Sequence, residues 1–318
     1  MMTESGRDAQ QTSGGELFVL STGRSGSKTI AQTVDTLPGW YGVHEPEPKL
    51  VPEAHAYLTG QMDSAELVSL LQRTRRSPDR ALRYAESNQK LSFMIAPLVE
   101  AFPNASFLWM VRNGLDAVAS WENLLAYRGE KHGVARRNSE WTKYRLCGDE
   151  VGDVPAGQWK RMSPFARNCW YWNYTNRKIQ EDLTRLGARW MMIRLEDLPQ
   201  QVPELCRFLD APQPADLRVP VANRAVRKVS KAQYWDHRQR KEFESICGEL
   251  MDELYPGWPN RMRYPAGTKL RNEALALLSY RTRTGRLLRT VAGWIPQPAL
   301  RPIRRRLEGR GVLNYPDR

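Results

Sequence analysis

Apolar and polar positions run along this chain in blocks whose period changes, and the blocks predict elements. Glu16 to Ser21 (ELFVLS) is a short apolar run, the pattern of a buried strand. Ser25 to Thr36 opens on small hydroxyl residues that suit a helix cap and continues as a helix. Trp40 to His44 (WYGVH) is a second strand, stopped by the Pro-rich EPEP. Asp63 to Arg75 is helical, with Asp63 or Ser64 as its cap. A strand in ALRYAE ends near Glu86, LSFMIAPLVEAF is a helix despite Pro97, and SFLWMVR is a strand ending at Arg112. LDAVASWENLL is an amphipathic helix, Ser163 to Leu186 a long helix, and ARWMMIR a further strand. Pro203 to Leu209 and Arg238 to Leu254 are helical. Strands alternating with helices predict an α/β fold, a three-layer sandwich whose central parallel sheet is flanked by helices and joined by right-handed crossovers.

The segments between these blocks divide the chain. Residues 1–15 read as a flexible N-terminal tail, 16–264 as the folded domain, and 265–318 as a basic C-terminal extension broken by Pro296, Pro298 and Pro302. Gly129 to Ser163 is polar and loop-rich, and Trp141 to Trp159 has the mixed polarity of a substrate-covering loop. With 318 residues, 41% of them hydrophobic, the chain can bury a substantial core. Its net charge of +13 suits an anionic ligand, nucleic acid or an anionic membrane surface. Four widely spaced cysteines (Cys147, Cys169, Cys206 and Cys247) form no C-x-x-C pair, so neither a zinc site nor a disulfide framework is expected. No signal-peptide run and no long apolar span stand out, which makes a cytoplasmic protein the expectation. The arginines at 301 and 304–306 add the option of peripheral attachment at the inner face of the membrane.

The candidate chemistry begins at VLSTGRSGSKT, Val19 to Thr29. A Walker A loop, G-x-x-x-x-G-K-[ST], would need glycines where Thr22 and Ser27 stand. A strand–loop–helix junction nevertheless exposes backbone N–H groups at a helix N-terminus, which bind anions. Gly23 and Gly26 allow a tight loop, Ser25, Ser27 and Thr29 offer hydroxyls, and Arg24 and Lys28 offer charge. The bland alternative is a strand–helix turn with glycine for geometry and serine for capping. A second feature is VRNGLDAVAS, in which Ser120 follows Arg112 by eight residues and lies about two turns into the next helix. A guanidinium can hold a phosphate through two parallel hydrogen bonds, and a nearby hydroxyl can add a third. The expected strand ends in Arg112 rather than in an Asp that would hold Mg²⁺, which favours direct cationic recognition.

Together these two motifs resemble the sulfotransferases that use 3′-phosphoadenosine 5′-phosphosulfate (PAPS), in their bacterial and carbohydrate-type branch. GRSGSKT is similar to the family's 5′-phosphosulfate loop, with Arg24 at its basic position, and VRNGLDAVAS to its 3′-phosphate motif, with Arg112 and Ser120. IRLEDL, Ile193 to Leu198, is similar to a further family segment. VRKVSKAQYW resembles the loop that closes over the 3′-phosphate, with Arg227 and Lys228 as contacts, although Val229 stands where that loop often has glycine. The resemblance covers roughly Glu16 to Tyr264 and implies a P-loop-like fold, PAPS as cosubstrate, PAP as product and no metal.

The same resemblance implies transfer to an acceptor hydroxyl or amine, with a base near the end of the second strand. His44 and Glu45 in VHEPEP are the candidates: family relatives favour the carboxylate, and His44 has the better intrinsic pKa. Glu47 reads as a loop residue, and Glu86 as either an acceptor-site residue or half of a salt bridge. The aromatic stretch NCWYWNYTN, Asn168 to Asn176, reads as core packing in preference to an acceptor wall. Carbohydrate, lipid-linked glycan, polyketide or peptide natural product, and small alcohol all remain open as acceptors. Two other classes compete: a nucleoside triphosphate-dependent kinase, against which the altered Walker A speaks, and a nucleic-acid-binding protein, for which no recognition motif is present.

Overall fold

The computed structural model describes residues 15–123, 126–127, 143–214, 219, 232 and 235–262. The described residues up to 219, together with 238–256, belong to one compact unit. The described residues 232, 235–237 and 257–262 belong to a second unit, which includes a 3₁₀ turn at Trp258–Met262. The expected N-terminal tail (but for Gly15), the basic extension, and Arg227 and Lys228 lie outside the described residues.

Five strands, β1 (Leu17–Leu20), β2 (Trp40–His44), β3 (Arg83–Ser87), β4 (Ser106–Val111) and β5 (Arg189–Arg194), form a sheet in the order β2-β3-β1-β4-β5. Each neighbouring pair is parallel, with Phe18 of β1 between Glu86 and Phe107. β1 and β4 are buried at every position because both faces are covered, which explains their unbroken apolar sequences. On one face, Leu17, Val19, Leu108 and Met110 pack with Ile30 and Val34 of helix α1 (Ser27–Asp35). Val202 and Leu205 of a later helix, Leu198–Phe208, join the same cluster. The alternate side chains face the opposite layer. Phe18 meets Phe102 with ring centroids 5.2 Å apart, and the indole N–H of Trp109 donates to Asn176 at 3.1 Å. The three-layer α/β architecture with a parallel central sheet is therefore present.

The other helices are α2 (Val51–Leu58), α3 (Ser64–Thr74), α4 (Ile95–Ala101), α5 (Gly114–Asn123), α6 (Ala156–Arg161) and α7 (Pro164–Arg185). Leu198–Phe208 is α8 and His237–Leu254 is α9. Side-chain caps set two of the boundaries: Asp63 accepts from the N–H of Glu66, and Ser163 from the N–H of Ala166. The element expected over Leu91–Phe102 is divided into a 3₁₀ turn, Gln89–Phe93, and α4. Pro97 then falls in the first turn of α4, where a missing N–H loses no hydrogen bond. Helix α2 was not expected; Pro52 starts it, since proline is compatible with a first helical turn. Helix α6 lies in the stretch expected to be loop-rich and carries the buried Trp159. Helix α8 begins at Leu198 and contains Pro203, so it is longer than the expected Pro203–Leu209. No helix among the described residues is long and apolar enough to cross a membrane.

A buried ion pair braces the β2–β3 side of the strand C-terminal edge. Arg75 Nε lies 2.8 Å from Glu86 Oε2, and neither side chain is exposed. The Tyr84 hydroxyl donates to Glu86 at 2.9 Å, and the Asn88 amide donates to Glu86 and to the carbonyl of Lys49, each at 3.2 Å. Arg75 also donates to the carbonyl of Pro48 at 2.6 Å. Burial raises the Glu86 pKa, and the Arg75 charge opposes that rise. Glu86 is thus half of a salt bridge, and the bridge anchors the loop that follows β2. Removing one partner leaves a buried charge without compensation, so Arg75→Met should lower stability by about 3–5 kcal/mol. A shift of the urea midpoint checks this, and the double variant Arg75→Met/Glu86→Leu should recover much of the loss.

Candidate functional site

Parallel pairing brings the C-terminal ends of all five strands to one edge, and the chain leaves β1 and β4 in opposite directions along the sheet. Ligands of open α/β sheets bind at such a switch point. Here the loop Ser21–Gly26 leaves β1 and turns into α1. Gly23, Arg24 and Gly26 have φ of 73°, 59° and 79°, a left-handed backbone that only glycine adopts without strain. A Cβ on Gly23 would lie 2.1 Å from Gln89 Oε1, and one on Gly26 would lie 2.4 Å from Leu195 Cδ1. The loop base is fixed by Ser92, whose hydroxyl accepts from the N–H of Ser21 at 2.9 Å and donates to its carbonyl at 3.0 Å.

Helix α1 starts with Gly26 as its cap, with no side chain bonded to its first-turn N–H groups and no acidic residue in that turn. The first hydrogen bond of the helix runs from Ile30 N–H to the Gly26 carbonyl. The N–H groups of Ser27, Lys28 and Thr29 therefore lie before the ladder begins, at the positive end of the helix dipole. Lys28 is exposed, while Ser27 and Thr29 are half-buried. Ser25 is buried, and its hydroxyl donates to the carbonyl of Gly23 at 3.2 Å, within the loop.

Two arginines converge on this helix end. Arg112 follows β4, and its Nη1 donates to the carbonyl of Arg24 at 2.8 Å. Arg24 Nε donates to the hydroxyl of Ser120, on α5, at 3.1 Å. The loop motif and the Arg/Ser motif are thus one bonded unit, joined through Arg24. Partial enclosure lowers the Arg24 pKa, and the Arg112 charge lowers it further. Neither guanidinium forms an ion pair among the described residues. The carboxylate at this turn, Glu196, instead accepts from the N–H of Asn113 at 3.1 Å and from the Tyr255 hydroxyl at 3.0 Å. The indole N–H of Trp172 holds the Arg112 carbonyl at 3.1 Å. Trp172 and Asn176 are buried, in keeping with core packing, and Trp172 has this additional link to the site.

The ends of β2 and β3 supply the remaining polar groups. Glu45 adopts φ 49°, and its N–H donates to the carbonyl of Ser87 at 3.0 Å. His44 Nδ1 lies 3.0 Å from the same carbonyl, so in the neutral ring that nitrogen carries the proton. His44 Nε2 and Glu45 Oε1 are 4.0 Å apart. Glu47 pairs with Lys49 at 3.1 Å, out in the loop. Lys90 was not among the residues singled out from sequence. It is 5% exposed, and burial and the charge of Arg145 push its pKa down to about 7, against the pull of Glu45. Its polar neighbours in SNQK gave no sign of burial; that comes from the 3₁₀ turn that follows β3.

No protein-family model matches the chain, and no curated protein sequence matches it. Solved structures are similar to it at low identity. The sulfotransferase domain from the Synechococcus PCC 7002 olefin synthase matches at 18% identity over 82% of this chain and 92% of that one, with a TM-score of 0.42. The sulfotransferase domain from the curacin biosynthetic pathway matches at 18% identity over 64% and 76%, with a TM-score of 0.41. The sulfotransferase from Alicyclobacillus acidocaldarius matches at 14% identity over 78% and 99%, with a TM-score of 0.44.

Lys90 gives a test of the site's electrostatics. Its folded pKa of about 7 lies below the ordinary lysine value, so between about pH 7 and 10 the unfolded chain binds more protons than the native one. Its contribution to stability therefore rises with pH across that window. Lys90→Met should raise the melting temperature most below pH 7, and the gain should shrink toward pH 10. A gain independent of pH would contradict this assignment.

Proposed function

We propose that the protein is a sulfotransferase that moves the sulfuryl group of PAPS to an acceptor hydroxyl or amine. The observation that carries this reading is the joining of Arg24, Arg112 and Ser120 at the uncapped N-terminus of α1. Two guanidiniums without a carboxylate partner, beside free helix N–H groups, match a ligand with two separated anionic groups. The phosphosulfate would sit on the loop, on the N–H groups of Ser27, Lys28 and Thr29, with Gly23, Ser25 and Gly26 giving the loop its shape. The 3′-phosphate would take Arg112 and Ser120, with Arg227 and Lys228 as the contacts that the resemblance adds.

In the proposed reaction the acceptor oxygen attacks sulfur in line, and the bond from sulfur to the bridging oxygen breaks. PAP leaves with the electron pair, and Arg24 with the loop N–H groups stabilises the charge that develops on it. Arginine stays protonated, so its role is electrostatic. Glu45 takes the acceptor's proton, with His44 beside it as the alternative base. No metal enters this scheme.

Labelled PAPS in the presence of EDTA, with a panel of hydroxy and amino acceptors, tests the proposal. Transfer that persists in EDTA supports it; phosphoryl transfer from ATP that needs Mg²⁺ would establish the kinase reading instead. Arg24→Ala should lower turnover about 10²–10³-fold, as expected for loss of a group that stabilises developing charge. Glu45→Gln should lower it about 10²–10⁴-fold while PAP affinity is retained. Full turnover in Glu45→Gln would move the base to His44.

A further inference from the structure

The phosphosulfate loop borders an aromatic cluster that holds a second pair of cations. A Cβ on Gly23 would lie 3.4 Å from the ring of Trp121, so that indole forms a wall of the loop. The Arg145 guanidinium sits over the same ring, 5.5 Å from its centroid, and 5.3 Å from that of Tyr127. The segment is pinned there by the Tyr127 hydroxyl, which donates to the Leu146 carbonyl at 2.6 Å. Trp121, Tyr127, Leu146, Trp159 and Tyr171 belong to one buried cluster. Arginine stacked between aromatic rings keeps its edge available for a bidentate anion.

The polar groups of this box are incompletely used. Arg145 Nε and Trp121 Nε1 are buried donors with no partner among the described residues. The Arg145 side chain makes no hydrogen bond or ion pair there either. A buried donor left without a partner is destabilising, and in native structures it commonly marks a place that a ligand or water fills. Lys90 Nζ lies 5.9 Å from the ring centroid of Phe93, a member of the same cluster, and feels the charges of Arg145 and Glu45.

We propose that Arg145, together with Lys90, forms an anion subsite beside Glu45, and that the acceptor carries a carboxylate as well as the group that is sulfated. This rests on the sulfotransferase reading, because it assigns the group beside Trp121, next to the donor loop, to the acceptor. The carboxylate would anchor on the Arg145 fork, and the acceptor's hydroxyl would reach Glu45. Arg145 is then a specificity-determining residue that acts on acceptor binding.

PAP-saturated protein, titrated with hydroxy acids and their methyl esters, tests the subsite. The probes are 3-hydroxydecanoate and 4-hydroxyphenylacetate, each beside its ester. In the wild type at least one acid should bind about tenfold or more tightly than its ester, the scale of one charge-assisted hydrogen-bonded pair. Arg145→Gln should abolish that preference with PAP affinity unchanged, and Arg145→Lys should restore part of it. Acids that bind no better than esters, no binding of either acid, or a preference that survives Arg145→Gln would each overturn the proposal. If Arg145→Gln does not fold, Arg145→Lys alone decides, because a retained full preference would contradict a bidentate fork. A wild-type protein that fails to bind PAP at all would instead remove the sulfotransferase reading.

Discussion

The hydrogen bond from the Arg112 guanidinium to the Arg24 carbonyl is the interaction on which the rest of the site depends. It links the turn after β4 to the loop after β1, across adjacent strands of the sheet. Arg24 is a non-glycine residue in the left-handed region, a conformation that costs roughly 1–2 kcal/mol and needs support from its surroundings. Arg112 supplies that support through the main chain, and Ser120 fixes the Arg24 side chain from α5. Trp172 and Glu196 in turn hold the backbone of Arg112 and Asn113. The outcome is two like charges held close together, an arrangement that an anion would relieve.

The same edge of the sheet is built in two halves with different physics. On the β1–β4 side, backbone N–H groups and guanidiniums have no carboxylate partner among the described residues. On the β2–β3 side, Glu86 is paired with Arg75 and accepts from Tyr84 and Asn88, Arg75 donates to the carbonyl of Pro48, and Asn88 to that of Lys49. That inward-facing network holds the loop bearing Glu45 in place. One half leaves its guanidiniums without ion pairs among the described residues, and the other is an inward-facing ion pair that serves as a brace. Between them lie Glu45 and Lys90, whose charges act on each other and each of which follows a strand end.

Much of this was legible in the sequence where local patterns dictate structure. The apolar run of β2, the Asp63 cap of α3 and the Ser163 cap of α7 have local causes, and their elements begin where expected. The Gly-Arg-Ser-Gly spelling and the Arg112/Ser120 spacing marked two candidate segments, which the structure joins through Arg24. Their contact through Arg24 was not legible, because it depends on strand order, and β1 and β4 are far apart in the chain. Lys90 and Arg145 were missed for the same reason: each sits in a polar stretch, and only tertiary packing buries one and boxes the other between rings. Helices α2 and α6 were hidden by proline and by polar composition, and both are stabilised by the packing of residues such as Val51 and Trp159.

Calorimetric titration with PAP and with AMP, in EDTA, tests the central claim that this site is built for two separated anionic groups. The account predicts that PAP binds at least about tenfold more tightly than AMP, the scale of one charge-assisted contact to the extra phosphate, and that Arg112→Ala erases the difference. Equal affinity for PAP and AMP, or a site that accepts ATP with Mg²⁺ and leaves PAP unbound, would contradict it.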